Sequence, residues 1–232
     1  MDVSVVVPTY REAENLALLV PRIAAALAGH VGSYEIIIVD DDSRDGTAEL
    51  VPQLAERFPV RLITRVGERG LSTAVLRGFG EARGEVLVCM DADLSHSPEA
   101  LPALLEALRE PGVEFVIGSR YVEGGGIDEE WGVFRRLNSR VATLLARPFT
   151  SARDPLAGFF AVPRAVLARA APLAPIGYKI GLEILVKARC RVVREVPIHF
   201  GDRRFGRSKL SVREQLRYLR HLLHLARFKL GL

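Results

Sequence analysis

The sequence predicts an α/β protein built on an open, mostly parallel sheet with helices on both faces, and three observations predict it. Short runs rich in Val and Ile recur through the first 120 residues, bounded by Gly, Pro or acidic residues, as suits strands buried on both faces. Segments with apolar residues at helical spacing separate those runs. The connections are short, and strand, helix, strand in alternation is the pattern of a parallel sheet. Ligands of such sheets bind outside the carboxyl ends of the strands, so the loops there are where chemistry is expected.

Each element follows from its residues. Val3 to Val7 is the first strand, stopped by Pro8, and Leu16, Leu19, Val20, Ile23 and Leu27 give the next helix one apolar face before Gly29. The second strand, Glu35 to Val39, runs into Asp40-Asp41-Asp42-Ser43-Arg44-Asp45-Gly46-Thr47, and a helix follows to about Phe58. Strand Val60 to Thr64, the loop Gly67 to Gly70 and a helix from Ser72 to Arg83 repeat the unit. Glu85 to Met90 is the fourth strand. Ser97 is expected as the N-cap of a helix with Pro98 at its first position and Glu99 favourable to the dipole. That helix reaches Arg109, and Phe115 to Gly118 is the next strand.

Beyond Arg120 the rhythm changes. After a loop at Gly124 to Gly126, Phe134, Leu137, Val141, Leu144 and Leu145 form a helical stripe, with Arg136, Arg140 and Arg147 on the other face. Asp154-Pro155-Leu156-Ala157-Gly158-Phe159-Phe160 reads as a turn entering a strand. Helices from about Pro163 and Gly181 precede a strand from Val192 to Pro197. Ser211 to Leu230 places Val212, Leu216, Leu219, Leu223, Ala226 and Leu230 on one face, beside Arg213, Arg217, Arg220, His224 and Arg227. Such a basic amphipathic helix either packs its stripe on the sheet or lies at a bilayer surface.

Composition narrows the classes. The 232 residues are 49% hydrophobic and 26% charged, an ordinary globular balance, and the net charge is only +4. Arg concentrates between Arg135 and Arg153 and between Arg203 and Lys229, which marks candidate anion sites. Few aromatics interleave there, so no nucleic-acid partner is expected. Cys89 and Cys190 lie in apolar segments and read as reduced core residues of a cytoplasmic protein. A strand beginning at Val3 leaves no room for a signal peptide, and no run approaches the roughly 20 apolar residues of a spanning helix. No repeat or polar linker marks a second independent domain.

The chemistry is expected where the fourth strand ends. Asp91 and Asp93 emerge at i and i+2 from a buried apolar run, and neighbouring carboxylates at such a rim are costly unless something positive neutralises them. A divalent cation does so, and hard oxygen ligands suit Mg²⁺ or Mn²⁺. Asp40 to Asp42 crowd a neighbouring strand end; an Asx-turn and helix cap around Asp45-Gly46 account for one or two of these acids, not all.

Pro8-Thr9-Tyr10-Arg11-Glu12, Val39 to Thr47, Gly70-Leu71-Ser72-Thr73-Ala74 and Asp91-Ala92-Asp93-Leu94-Ser95-His96 follow in the order found in family 2 inverting glycosyltransferases, which the chain resembles. The nearer likeness is to dolichol-phosphate (polyprenyl-phosphate) mannose synthases. It continues through Ile117 to Tyr121, Asp154 to Phe160 and Phe200 to Leu210, nearly the whole chain.

The resemblance implies a Rossmann-like nucleotide-sugar-binding domain of the glycosyltransferase A type over residues 1–210. Residues 1–120 would be its nucleotide half, 121–210 its acceptor half, and 211–232 a basic amphipathic helix. It places Pro8, Tyr10, Glu12, Val39 and Asp41 around the nucleotide of GDP-mannose, with Pro8 and Tyr10 against base and ribose. Asp91, Ala92 and Asp93 would meet the diphosphate and a Mg²⁺ or Mn²⁺ ion. Ser95 stands where these synthases often carry a metal-ligating Gln; a hydroxyl or a bridging water would substitute. Arg120, Arg135, Ser139, Arg203 and Lys209 match positions associated with acceptor phosphate or donor diphosphate.

The implied reaction is inverting transfer of mannose to a dolichyl or polyprenyl monophosphate by a peripheral enzyme on the cytoplasmic face of a membrane, with room for a membrane-embedded partner subunit. A polyprenyl-phosphate glucosyltransferase using a UDP-sugar and a non-catalytic sugar-nucleotide-binding subunit are the alternatives. A nucleotidyltransferase would carry a Gly-rich basic loop after the first strand, where this chain has Pro8-Thr9-Tyr10.

Overall fold

The computed structural model describes residues 1–128, 133–174, 176–201 and 212–231, with backbone alone for 133–136 and 212–213. Arg203 and Lys209 lie outside the described residues, as does the side chain of Arg135.

The first half alternates as the residues require: β1 (Val3–Thr9), α1 (Ala13–Leu27), β2 (Tyr34–Asp40), α2 (Thr47–Ala55), β3 (Val60–Thr64), α3 (Leu71–Glu81) and β4 (Val86–Cys89). A 3₁₀ turn at Pro98–Ala100 leads into α4 (Leu101–Arg109) and β5 (Phe115–Ser119). Ser97 does not cap it as expected: its hydroxyl donates to the Glu99 carboxylate, which Arg22 also grips at 2.8 Å.

The second half adds β6 (Gly126–Ile127), α5 (Val133–Ala146), β7 (Phe160–Pro163), α6 (Arg164–Ala168), α7 (Ile180–Lys187), β8 (Val193–Pro197), β9 (His199–Phe200) and α8 (Val212–Leu230). Seven strands form one sheet in the order β3-β2-β1-β4-β7-β5-β8, with strands from both sides of residue 120. All neighbours run parallel except β7, which is antiparallel to both β4 and β5. β6 and β9 form a separate parallel pair.

Every β1 residue is buried, as a central strand requires. Alternate residues serve two cores. Val6, Ile37, Leu87 and Phe160 face α3 and α7, while Val5, Ile36, Val88 and Ala161 face α1 and α4. Gly78 is needed where α3 crosses β1, since a Cβ there would sit 2.4 Å from Val6 Cγ1.

The last helix resolves the ambiguity of its stripe in an unexpected way. α8 docks on the protein through Tyr218, His221, Leu222 and Leu225, whereas Leu216, Leu219, Leu223 and Leu230 are exposed. Under it lies a buried ionic cluster: Lys187 Nζ donates to Glu183 Oε1 at 2.8 Å and lies 3.1 Å from His224 Nε2, and His221 Nε2 lies 3.4 Å from Glu183 Oε2.

α5 lies alongside. Gln215 donates to Asn138 at 3.3 Å, Tyr218 OH to the Ala142 carbonyl at 2.7 Å and Lys229 to the Pro148 carbonyl at 2.6 Å. These contacts advance together along both segments, so α5 and α8 run parallel. The α5 stripe is also turned outward, with Leu137 58% and Leu144 68% exposed. At about 3.6 residues per turn, each stripe stands roughly a quarter-turn from the mutual contact, in opposite senses of rotation. For parallel neighbours that is the same side, so the two stripes form one apolar surface.

Candidate active site

The carboxyl ends of β1, β2, β4 and β5 converge on one edge of the sheet, and the backbone there is unusually constrained. Of the five non-glycine residues with positive φ among those described, Arg11, Asp42, Arg44 and Leu94 lie in these loops. Left-handed backbone costs free energy in ordinary side chains, and its concentration at one edge singles that edge out as the candidate site.

The first two loops are tied together. Arg11 N donates to Ser43 Oγ at 2.8 Å, Ala13 N to Asp45 Oδ2 at 3.0 Å, and Ser43 N to Asp40 Oδ2 at 2.8 Å. Asp45 also accepts from Thr47 N and Oγ1 at the start of α2. Burial pushes the Asp45 carboxyl up, but these donors outweigh it and hold the group below the usual range. Asp45 makes the turn foreseen around Asp45-Gly46, Asp40 makes another, and α2 begins after Gly46 without a side-chain cap.

Asp41, expected at the nucleotide, is held by a residue the sequence reading missed. The buried Arg65 forks onto Asp41 Oδ1, with Nε at 2.7 Å, while Gly70 N donates to Oδ2 at 2.9 Å. Arg65 also donates to Thr73 Oγ1 and the Gly70 carbonyl, so one guanidinium fixes the loop between β3 and α3 against the end of β2. Tyr10 is half-buried, with the Arg69 guanidinium 4.2 Å from its ring centroid. Glu12 accepts from Asn15 Nδ2 at 2.5 Å. Pro8 and Val39 are buried, so contact with a ligand falls to their main chain.

The β4 loop carries the two expected carboxylates. Asp93 is buried, accepting at Oδ1 from Ser95 N at 3.1 Å and Ser95 Oγ at 2.5 Å. The Ser95 hydroxyl therefore orients Asp93. Ala92 is buried beneath the loop. Asp91 is partly exposed, with Oδ2 3.8 Å from His96 Nδ1. Gly158 makes room for it: a Cβ there would lie 3.0 to 3.2 Å from the Asp91 carboxylate atoms. His96 packs beside Phe159 and Phe200, and burial lowers its pKa.

Cations face these acids. Arg120 makes a bidentate pair with the fully buried Asp154, both bonds at 2.7 Å, and lies against the rings of Tyr121 and Phe200. Tyr121 OH shares a 2.8 Å hydrogen bond with Ser139 Oγ, which brings α5 to the Arg120 segment. Gly201 N donates to the Ser95 carbonyl at 3.0 Å, which ties the residue after β9 to the carboxylate loop.

Lys179, also missed from sequence, donates to the Leu156 carbonyl at 2.9 Å. Burial, with the repulsion of Arg120, pulls its ammonium down to about 8. Its signal was slight: a lone Lys between Tyr178 and the apolar α7. Among the described residues no three His, Cys, Asp or Glu side chains form a metal cage. A partly exposed Asp91 two residues from a buried, oriented Asp93 suits a Mg²⁺-type ion that takes its other ligands from substrate phosphates and water.

The topology and the acidic strand-end loop define a glycosyltransferase A-like α/β fold. Residues 4–170 match the model of glycosyl transferase family 2, and the chain belongs to that family. It is 46% identical over 233 residues to a Dolichol-phosphate mannosyltransferase of Pyrococcus furiosus, covering 99% of this chain and 65% of that protein. Proteins of the same name from Mycosarcoma maydis and Saccharomyces cerevisiae are 47% and 44% identical, over 98% and 100% of this chain and 80% and 89% of theirs. Glucosyl-3-phosphoglycerate synthase from Mycobacterium tuberculosis, crystallised with Mn²⁺, UDP and phosphoglyceric acid, superposes with a TM-score of 0.72 at 21% identity, covering 100% of this chain and 79% of that one. At that identity the likeness is one of fold.

Proposed function

We propose that the chain transfers mannose, with inversion, from GDP-mannose to a dolichyl or polyprenyl monophosphate, releasing GDP. The observation that carries this reading is the sheet edge where Asp91, with Gly158 packed against it, lies within the field of Arg120 and Lys179, next to Asp93 in the same loop. The names of the three relatives support the sugar and the acceptor.

The residues divide the work by charge. Asp91 and Asp93, the latter oriented by Ser95, would hold Mg²⁺ or Mn²⁺, which supplies charge neutralisation for the departing diphosphate. Two hard carboxylates fit that group, and the Mn²⁺ in the mycobacterial synthase is consistent with it. Tyr10, Glu12, Asp41 and the main chain at Pro8, Val39 and Ala92 would hold the nucleotide.

Arg120, Lys179, Arg203 and Lys209 would meet the phosphates, and Arg135 with Ser139 the acceptor. A lipid monophosphate has a second pKa of about 6, so the nucleophile is already ionised at neutral pH. The protein then needs to supply position and electrostatics, not a strong base.

The enzyme would sit on the cytoplasmic face of a membrane, on its own or beside a membrane-embedded partner. No helix among the described residues is long and apolar enough to cross one. The shared α5–α8 apolar surface, with Arg140, Arg147, Arg220 and Arg227 along its flanks, fits a leaflet of anionic lipid. The same helix α5 carries Ser139, where a lipid phosphate would enter.

The test is incubation with radiolabelled GDP-mannose or UDP-glucose and a short polyprenyl phosphate, with and without Mn²⁺, followed by organic extraction. Label should enter the lipid phase from GDP-mannose with metal present. Transfer from UDP-glucose alone would replace this reading with a glucosyltransferase.

A further inference from the structure

Arg69 belongs to none of the motifs, yet its guanidinium lies 4.2 Å from the centroid of Tyr10, closer than Arg11 at 5.3 Å. The segment that carries it is exposed and glycine-turned at one end and clamped at the other. Gly67 at φ +77° and Gly70 at φ +150° bracket it in conformations that favour glycine, and Val66 is 75% exposed. Behind Arg69, Gly70 is clamped: its N–H donates to Asp41, and its carbonyl accepts from Arg65 and Thr73. Arg69 is therefore anchored next to Asp41 with its own side chain exposed.

Resting on the nucleotide-sugar reading above, we propose that Arg69 is the second wall of the nucleobase slot and a determinant of base selection. With no nucleotide the guanidinium covers Tyr10; with one, the loop opens at Gly67 by the thickness of a ring and the base stacks between Tyr10 and Arg69. Planar guanidinium stacks on aromatic faces, and the gain grows with ring area. A purine fills such a slot more completely than a pyrimidine, so Arg69 favours guanine over uracil without reading its edge.

The test is calorimetric titration of the full chain, wild type, R69A and R69K, with GDP and with UDP in the presence of Mn²⁺. Arg69 is exposed, so its removal leaves the fold in place, which a thermal melt checks. R69A should weaken GDP binding about tenfold and UDP binding by no more than about threefold, narrowing the preference. R69K keeps the charge without the plane and should recover only part of the loss. Unchanged or tighter GDP binding by R69A would show that Arg69 merely occupies Tyr10 in competition with the base, and an equal loss for both nucleotides would reduce it to a phosphate contact. Either overturns the proposal while leaving the transferase reading intact; wild-type protein that binds neither nucleotide would overturn both.

Discussion

Gly158→Ala is the smallest change that reaches the proposed metal site without removing a ligand. The added methyl would stand 3.0 Å from Asp91 Oδ2, 3.1 Å from Oδ1 and 3.2 Å from Cγ. Those contacts are tighter than ordinary van der Waals separations, so the carboxylate must yield by a few tenths of an ångström. Gly158 does not require a left-handed backbone, so the fold itself should tolerate alanine. Displacing a ligating carboxylate by this route acts as loss of an outer-shell support does, which weakens metal affinity or activity about 10- to 100-fold. The assay is initial transfer rate against Mn²⁺ concentration, with a thermal melt alongside. The account expects a higher half-saturating Mn²⁺ concentration, a lower kcat and a nearly unchanged Tm. A Mn²⁺ dependence in Gly158→Ala indistinguishable from that of the unaltered protein would refute the placement of the ion at Asp91.

Three further outcomes follow from other parts of the molecule. Arg65→Met would strand the buried Asp41 carboxylate and should cost about 3 kcal/mol in chemical denaturation, with Asp41→Asn added to it recovering part of the loss. Glu183 is fully buried; burial raises its pKa, but His221, Lys187 and the Ala174 N–H outweigh that and bring it from the ordinary 4.5 to about 2. Because the folded-state value is depressed, this stabilisation is present above about 4.5 and is lost as pH falls towards 2, on the order of 2 kcal/mol after solvent screening. Urea titrations from pH 6 to 3 should show that slope in the wild type and a shallower one in Glu183→Gln. Leu219→Glu with Leu223→Glu touches only the exposed stripe, so it should leave Tm unchanged while abolishing flotation with anionic vesicles; retained flotation would remove the membrane role from that surface.

The β-branched runs and short connections made the first five strands legible, because a strand buried on both faces must be apolar throughout. The antiparallel placement of β7 was not legible: four residues reveal no direction, and only its register with Cys89 to Val86 does. α8 was legible only in part, because its sequence left open which way the stripe would turn. Its most regular apolar stripe faces out, while the face that docks uses His221 and Tyr218, whose polarity hides burial when the partners Glu183, Lys187 and Ala142 lie elsewhere in the chain. The Asp pair of the candidate site could be proposed from sequence because nothing in a core explains it. Arg65 and Lys179 were not, since each is a single cation whose role exists only through residues distant in sequence.

Everything turns on a cation held at Asp91 and Asp93, and manganese anomalous diffraction from crystals grown with Mn²⁺ and GDP tests that most directly. The account predicts a peak bonded to oxygens of both carboxylates and to the diphosphate. A peak elsewhere, with those two side chains carrying no ligand, would contradict it.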